Sequence, residues 1–570
     1  MHVARDLDLE RELPPGREET TADLELDTLL DAMAVGDGLV REICRRELLL
    51  GLHDLADVAH RQRALGDCRA NPSVVRDLYA LAGEALVDER RIWATLQRDS
   101  PRAMLGTAVR KLEVLAGYLR RLRDAADEHA DAFSSPAFTR LFAQIARELD
   151  DGYLARVDHH LRELRLSDGM LLGARLGPGA AGTAYSLRRA HARGLLARLL
   201  DRRGLSFTMP ERDESGFRAL AEIEDRGVSD VAAALTESVD HVHAFFVALR
   251  TELAFYVGCL ALDERLAAKG EPTCIPTLSG SGAPPAGDRR GPDAASAGDR
   301  PDAAPLVARG LYDVCLALTI EPRVVANDLN ADGRALIVVT GANQGGKSTF
   351  LRSVGVAQLM AQCGMFAPAR SLRTGLCSGL HTHFRREEDA DMEGGRLDEE
   401  LGRMSRIADR IRAGAMLLCN ESFASTNERE GSEIARQVVR AMVESGVRVI
   451  LVTHLFDLAH ELWERPPAPA LFLRAERTRD GGRTYRLGEG EPLPTSHGAD
   501  SFQRVFGRPL PGARPGAAPP PATGLTATQP PASAASEPIP ASEPVPASGP
   551  APQPCASACA GDTRAARQAG

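Results

Sequence analysis

Residues 341–348 read Gly341-Ala342-Asn343-Gln344-Gly345-Gly346-Lys347-Ser348, followed by Thr349. Glycines ahead of a lysine and a hydroxyl residue at this spacing form a phosphate-binding loop. Its backbone N–H groups cradle phosphates, the lysine neutralises the β and γ groups, and the hydroxyl gives Mg²⁺ an oxygen. Lys347 and Ser348 hold those places, and the chain has only two other lysines, Lys111 and Lys269. A second polar cluster closes the apolar run Met416-Leu417-Leu418-Cys419 with Asn420-Glu421. Glu421 is the candidate general base, aligning or deprotonating an attacking water. Asn420 offers a carbonyl oxygen on the metal side without the usual negative charge, so Ser348, Asn420 and Glu421 form the candidate Mg²⁺ set. A third run, residues 447–453, ends in Thr453-His454 and puts an imidazole beside the γ-phosphate position. Lys347, Glu421 and His454 are thus the expected catalytic residues, with ATP and Mg²⁺ as cofactors.

Three short apolar runs, 335–340, 416–419 and 447–453, must bring these groups to one place. Continuous apolar strands separated by helical segments belong to a parallel sheet covered on both faces, with ligands at the strands' carboxyl edge. Upstream, apolar residues recur at helical spacing from Thr28 to about Leu166, and Asn71-Pro72-Ser73 reads as a helix start. Residues 170–176 and 183–187 flank a Gly/Pro/Ala turn and predict a small hairpin. Residues 228–269 hold no proline and a single glycine, Gly258, which predicts one long helix or two stacked helices broken there. The fold class expected is therefore an α-helical N-terminal core and lever domain followed by an α/β P-loop ATPase domain, with a disordered linker and C-terminal tail.

The net charge of −10, from 69 Lys+Arg against 79 Asp+Glu, argues against nucleic acid only until it is divided by segment. The acid is concentrated near the start of the chain. Proline is uneven too: 14 of 36 lie beyond residue 510, and seven fall between residues 271 and 305. These shifts place an acidic flexible leader at 1–23, the helical domain at 24–270, a linker at 271–305, the ATPase domain at 306–510 and a Pro/Ala-rich tail at 511–570. The ten cysteines are scattered and the start lacks a signal-peptide apolar block, so a cytoplasmic protein without a membrane segment is expected.

The segments 325–329 (Val-Ala-Asn-Asp-Leu), 340–349, 363–368 (Cys-Gly-Met-Phe-Ala-Pro), Asn420-Glu421 with Ser425-Thr426-Asn427 and Gly431, and Thr453-His454 resemble, in order and spacing, the ATPase domain of the MutS mismatch-repair family. The likeness is strong over about 306–460 and weaker over 24–270, which resembles that family's helical core and lever. It implies an ABC-type ATPase that works as a homodimer, each nucleotide contacted by the opposite subunit, with ATP moving helical arms that grip DNA. Ser425, Thr426 and Asn427 would then lie at the dimer interface.

Departures from the family narrow the expectation. None of the 16 phenylalanines is followed two residues later by Glu, so mismatch reading by an inserted phenylalanine is not expected, nor is the family's N-terminal mismatch domain. Gly395-Arg396 leads into Leu397-Asp398-Glu399-Glu400 where the family has Ser-Thr-Phe. Arg323 or Val324 replaces an adenine-stacking aromatic. Arg175, Arg188, Arg189, Arg193 and Arg198 lie in an acid-free stretch and are the candidate DNA-phosphate contacts. The leading expectation is a DNA-binding, ATP-hydrolysing clamp. The alternatives are an ATP-driven switch acting on a protein or ribosomal partner, and an ATP-binding protein with little turnover.

Overall fold

The computed structural model describes residues 7–92, 100–167, 169–188, 207–280, 303–342, 344–386, 395–478 and 482–493. The helical part runs α1 (Arg17–Asp23), α2 (Leu26–Ala34), α3 (Gly38–Leu50), α4 (Leu55–Ala70), α5 (Pro72–Arg91), α6 (Pro101–His129), α7 (Pro136–Glu148) and α8 (Asp151–Leu164). Its starts are chemically marked. Asp37, Asp54 and Asp150 each accept a backbone N–H in the first turn of the helix they precede, and proline takes the first position of α5, α6 and α7. An antiparallel hairpin, β1 (Leu171–Leu176) and β2 (Gly182–Arg188), follows as the sequence predicts.

The long segment is one uninterrupted helix, α9 (Glu214–Ala268), of 55 residues, or roughly 80 Å at ~1.5 Å per residue. Asp213 caps it by accepting the Gly216 N–H at 2.8 Å. Beyond the capped first turn with Gly216, its two further glycines are places of close packing rather than breaks. A β-carbon on Gly227 would lie 2.4 Å from the Leu172 side chain of β1, and one on Gly258 would lie 2.5 Å from Cys44 Sγ of α3. By composition an 18-residue window of α9 is apolar enough to cross a bilayer, with mean hydropathy 1.6. Much of that apolar surface is core: Phe246, Leu253, Tyr256, Leu260 and Leu262 are buried against the shorter helices.

The remaining strands are β3 (Thr277–Ser279), β4 (Leu306–Leu311), β5 (Asn327–Asn330), β6 (Leu336–Thr340), β7 (Ser371–Gly375), β8 (Leu380–Phe384), β9 (Met416–Asn420), β10 (Arg448–Val452), β11 (Ala470–Arg477) and β12 (Arg483–Glu489). They form a six-stranded sheet of order β12-β11-β6-β10-β9-β8 and a four-stranded sheet of order β3-β7-β4-β5. Within the larger sheet β11, β6, β10, β9 and β8 are parallel and only β12 runs against them. Helices α10 (Val314–Thr319), α11 (Lys347–Gln362), α12 (Arg396–Ala408), α13 (Glu428–Glu444) and α14 (Phe456–Glu464) complete the described elements. The buried strands follow from both faces being covered: residues 336–339 of β6 are wholly inaccessible.

Two segmental expectations need correction. Part of the expected flexible leader is built into the fold, since α1 packs on β8, Thr20 is buried, and Leu24 just beyond is fully buried. The expected 271–305 linker is also shorter. Glu271 is buried and accepts the Val324 N–H at 3.0 Å, Cys274 bridges Ala367, and β3 pairs with β7. Composition misled in both cases because neighbouring chain supplies partners that a local window does not contain. The middle of the linker and the 511–570 tail lie outside the described residues.

Gly258 and Gly106 separate two effects. Gly258→Ala gains up to about 1 kcal/mol of helix propensity but forces a methyl onto a buried thiol, so net destabilisation of about 1–2 kcal/mol is expected. Gly106→Ala, on an exposed face of α6 with nothing within 4 Å, should stabilise by about 1 kcal/mol. Denaturant unfolding of both variants checks the opposite signs.

Candidate functional site

Strand adjacency builds the site. β6 lies beside β10, and β10 beside β9, so the loops leaving their carboxyl ends emerge side by side. The first is the 341–346 loop, the second carries Thr453-His454, and the third carries Glu421. Two glycines permit the first loop: Gly341 has φ 113° and Gly346, the N-cap of α11, has φ 89°. Gly341 and Gly345 also pass so close to Ala475 of β11 that a β-carbon on either would meet it at about 3 Å.

Lys347 is buried, and its ammonium donates to Gly341 O at 2.9 Å and Ala342 O at 3.1 Å. Burial pulls its pKa below the ordinary lysine value, opposed by the Glu421 carboxylate. Ser348 Oγ donates to Asn420 Oδ1 at 3.0 Å, which brings together two of the three candidate metal-side residues. Glu421 Oε2 is 3.6 Å from His454 Nδ1. The His454 contact, with the charges of Lys347 and Arg385, holds the Glu421 carboxyl below the usual glutamate range despite burial. Gln344 and Thr349 line the same space, while Asn343 lies outside the described residues.

A cavity of ≈ 590 Å³ opens beside the loop, lined on one side by Gln344, Lys347, Ser348, Thr349 and Glu421 and on the other by Tyr312, Val324, Val325 and Tyr485. Its size is within the range of small-molecule sites. Arg323 and Val324 reach it too, and Tyr485 of β12 supplies the aromatic wall that those two positions do not. Tyr485 has φ 57° and is held by Asn327, whose amide donates to Tyr485 O at 3.2 Å and whose Oδ1 accepts from Leu487 N at 2.8 Å. Nothing in the sequence around residue 485 signals this role. Only the antiparallel β11–β12 turn returns the tyrosine to the loop.

Ser425, Thr426 and Asn427 are engaged within the chain. Ser425 Oγ donates to Glu400 Oε1 at 2.6 Å, Thr426 Oγ1 to Glu430 Oε2 at 2.5 Å, and Asn427 Oδ1 caps α13 by accepting Glu430 N–H at 3.0 Å. Glu400 and His383, both buried and facing the turn after Glu421, are further residues that local sequence did not single out. Of the candidate DNA contacts, Arg175 and Arg188 are exposed on the β1–β2 hairpin, whereas Arg189, Arg193 and Arg198 lie outside the described residues. Among the described residues no cluster of three His, Cys, Asp or Glu side chains is arranged to hold a metal by itself. A Mg²⁺ ion here would therefore depend on phosphate oxygens as well as Ser348 and Asn420.

Comparison with known proteins gives two family matches. Residues 53–269 match the MutS2 N-terminal domain, and residues 337–487 match MutS domain V. The chain belongs to the MutS family. The MutS domain V match begins within β6 and ends in β12, enclosing the loop, both polar strand ends and Tyr485; the N-terminal match ends just past α9. Among relatives, a DNA mismatch repair protein MutS of a Synechococcus species is 30% identical over 232 residues, 39% of this chain and 24% of that protein. Endonuclease MutS2 of Lactiplantibacillus plantarum is 32% identical over 192 residues, 33% and 24% of the two chains. MutS protein homolog 4 of Mus musculus is 24% identical over 154 residues, 27% and 16% respectively. The matched region thus spans about a quarter or less of these MutS relatives' own length.

The Glu421–His454 contact has a pH consequence. Glu421 stays ionised to lower pH than a free glutamate, and removing His454 lets its pKa rise. His454→Ala should raise the Glu421 pKa, and a pH titration of the Glu421 carboxyl followed by NMR in both proteins measures the direction.

Proposed function

We propose that this MutS-family chain is a Mg²⁺-dependent ATPase that couples the nucleotide cycle to DNA held by its helical arm. The observation that carries the reading is the meeting of Lys347, Ser348, Glu421 and His454 at one sheet edge, beside a cavity of nucleotide size. Phosphate oxygens would replace the Gly341 and Ala342 carbonyls as partners of Lys347. The Tyr485 face and the Val324 and Val325 side chains suit a base. Bound Mg²⁺, next to Ser348 and Asn420, would neutralise phosphate charge. Glu421 takes the proton of a water whose oxygen bonds to the γ-phosphorus as the bond to the ADP oxygen breaks. The carboxylate is ionised for that step because His454 and Lys347 favour its charged form.

Two substitutions test the assignment. Lys347→Ala should weaken ATP binding by at least about tenfold, the scale of one lost charge-assisted hydrogen bond. Glu421→Gln should bind ATP normally and lose about 10²–10⁴ in kcat. Equilibrium binding of a fluorescent nucleotide with single-turnover hydrolysis reads both, and wild-type turnover by Glu421→Gln would overturn the assignment.

DNA as the partner is supported by the family relationship and by the two exposed arginines on the hairpin packed against α9. Phosphate contacts of this kind are sequence-independent and salt-sensitive. Changing both Arg175 and Arg188 to alanine should therefore lower the slope of log affinity against log salt on duplex DNA by about 2. Homoduplex, mismatched, branched and single-stranded DNA should each be scored for ATPase stimulation. A rate unmoved by every one of them would favour a protein partner instead. Homodimer formation through the face bearing residues 425–427 belongs to the same proposal.

A further inference from the structure

The turn that follows Glu421 does not rest on backbone preference. Glu421 has φ 53° and Phe423 φ 61°, so two non-glycine residues flanking Ser422 occupy the sparsely populated left-handed region, and their surroundings must hold them there. Part of that restraint comes from α12. Glu400 is buried and uses both carboxylate oxygens on the turn: Oε2 accepts the Phe423 N–H at 2.6 Å and Oε1 accepts the Ser425 hydroxyl at 2.6 Å. Its backbone oxygen accepts from His383 Nε2 at 3.0 Å, and His383 Nδ1 lies 2.7 Å from Ser422 Oγ. The imidazole stacks on the Phe423 ring, with centroids 5.4 Å apart and planes at 28°. Burial, reinforced by Arg403, pushes the His383 pKa down to about 4. The ring is therefore neutral near pH 7 and gives its one N–H to the Glu400 carbonyl, while the Ser422 hydroxyl donates to His383 O at 2.8 Å.

We propose that Glu400 is a positioning residue for hydrolysis: through its bonds to Phe423 N and Ser425 Oγ it fixes the strained turn that aims the Glu421 carboxylate at the γ-phosphate position. The inference rests on the reading of Glu421 as the hydrolytic base. Its physical basis is directness. One side chain holds the backbone two residues beyond the base and the hydroxyl four residues beyond it, and a closely packed turn cannot keep its direction when the carboxylate that anchors both moves. Gly431 closes the other side, since a β-carbon there would lie 2.3 Å from Phe423 O. A displacement of α12 is consequently transmitted to the base without touching the phosphate loop, whose lysine and serine bond to Gly341, Ala342 and Asn420 instead.

The test measures nucleotide affinity and single-turnover hydrolysis separately in the full chain. Glu400→Ala should lower kcat by about 10²-fold, in line with misplacement of a reacting group, while affinity for a fluorescent ADP analogue stays within about twofold. Glu400→Gln keeps one acceptor and should fall between wild type and alanine. Ser425→Ala removes one of the two bonds and should lower kcat about threefold to tenfold. If Glu400→Ala does not fold, the glutamine variant and Ser425→Ala carry the test. In a Glu421→Gln background the Glu400 substitutions should add little further loss, because groups acting through one another are not additive. Wild-type kcat in Glu400→Ala, a parallel loss of nucleotide affinity, or full additivity with Glu421→Gln would each overturn the proposal. Failure of the underlying reading is seen in different arms: no hydrolysis by the wild-type chain, or wild-type hydrolysis by Glu421→Gln.

Discussion

Helix α11, which follows the glycine-rich loop, is fastened at both ends, and the rest of the structure is arranged around that fact. Its first residues are Lys347 and Ser348. At its last turn Gln362 O accepts the Leu52 N–H at 2.9 Å, and the next carbonyl, Cys363 O, accepts from Arg61 Nη1 at 3.0 Å. Arg61 is buried, pairs with buried Glu47 of α3, and lies over the Phe255 ring of α9 at 4.9 Å. Removing one member of a buried pair leaves the other charge without compensation, at a cost of about 3–5 kcal/mol. The ion pair therefore joins the end of α11 to the buried part of α9 through charge as well as packing.

This joint ties the helical region to the larger sheet's helix α11. α9 passes from the core, where Tyr256 and Leu260 are buried, out to a segment where Phe217 and Leu220 are exposed. Near its outer half it carries the β1–β2 hairpin, seated through Leu172 on Gly227. The hairpin seat at Gly227 and the Arg61 contact at Phe255 thus lie on one unbroken helix, roughly 40 Å apart at ~1.5 Å per residue. The buried part of the helix, apolar on most sides, must be surrounded by α2, α3, α5 and α6. That requirement explains why glycine appears where α3 crosses it.

The site was legible in the sequence to the extent that its chemistry is local. The glycine-rich loop is eight consecutive residues, and the strand ends at Glu421 and His454 announce themselves by a polar residue stopping an apolar run. What escaped was assembled from distant chain. Tyr485 reaches the cavity only because β12 folds back on β11. Glu400 meets Phe423 only because α12 lies across the turn after β9, and no spacing rule links positions 23 residues apart. Segment composition failed for a related reason. The acidic start and the proline-bearing stretch after α9 look unstructured alone, yet α1 finds β8 and β3 finds β7.

The sequence by itself determined the order of the parts: helical region, glycine-rich loop, carboxylate strand, imidazole strand, each written in short-range patterns of glycine, apolar runs and caps. Tertiary structure decided which of these become neighbours. Strand order places β10 between β6 and β9, so loops separated by more than a hundred residues share one edge. The protonation of Glu421 and His383, the strained turn and the buried Arg61–Glu47 joint arise from burial and proximity, which are properties of the packed chain and not of any segment within it.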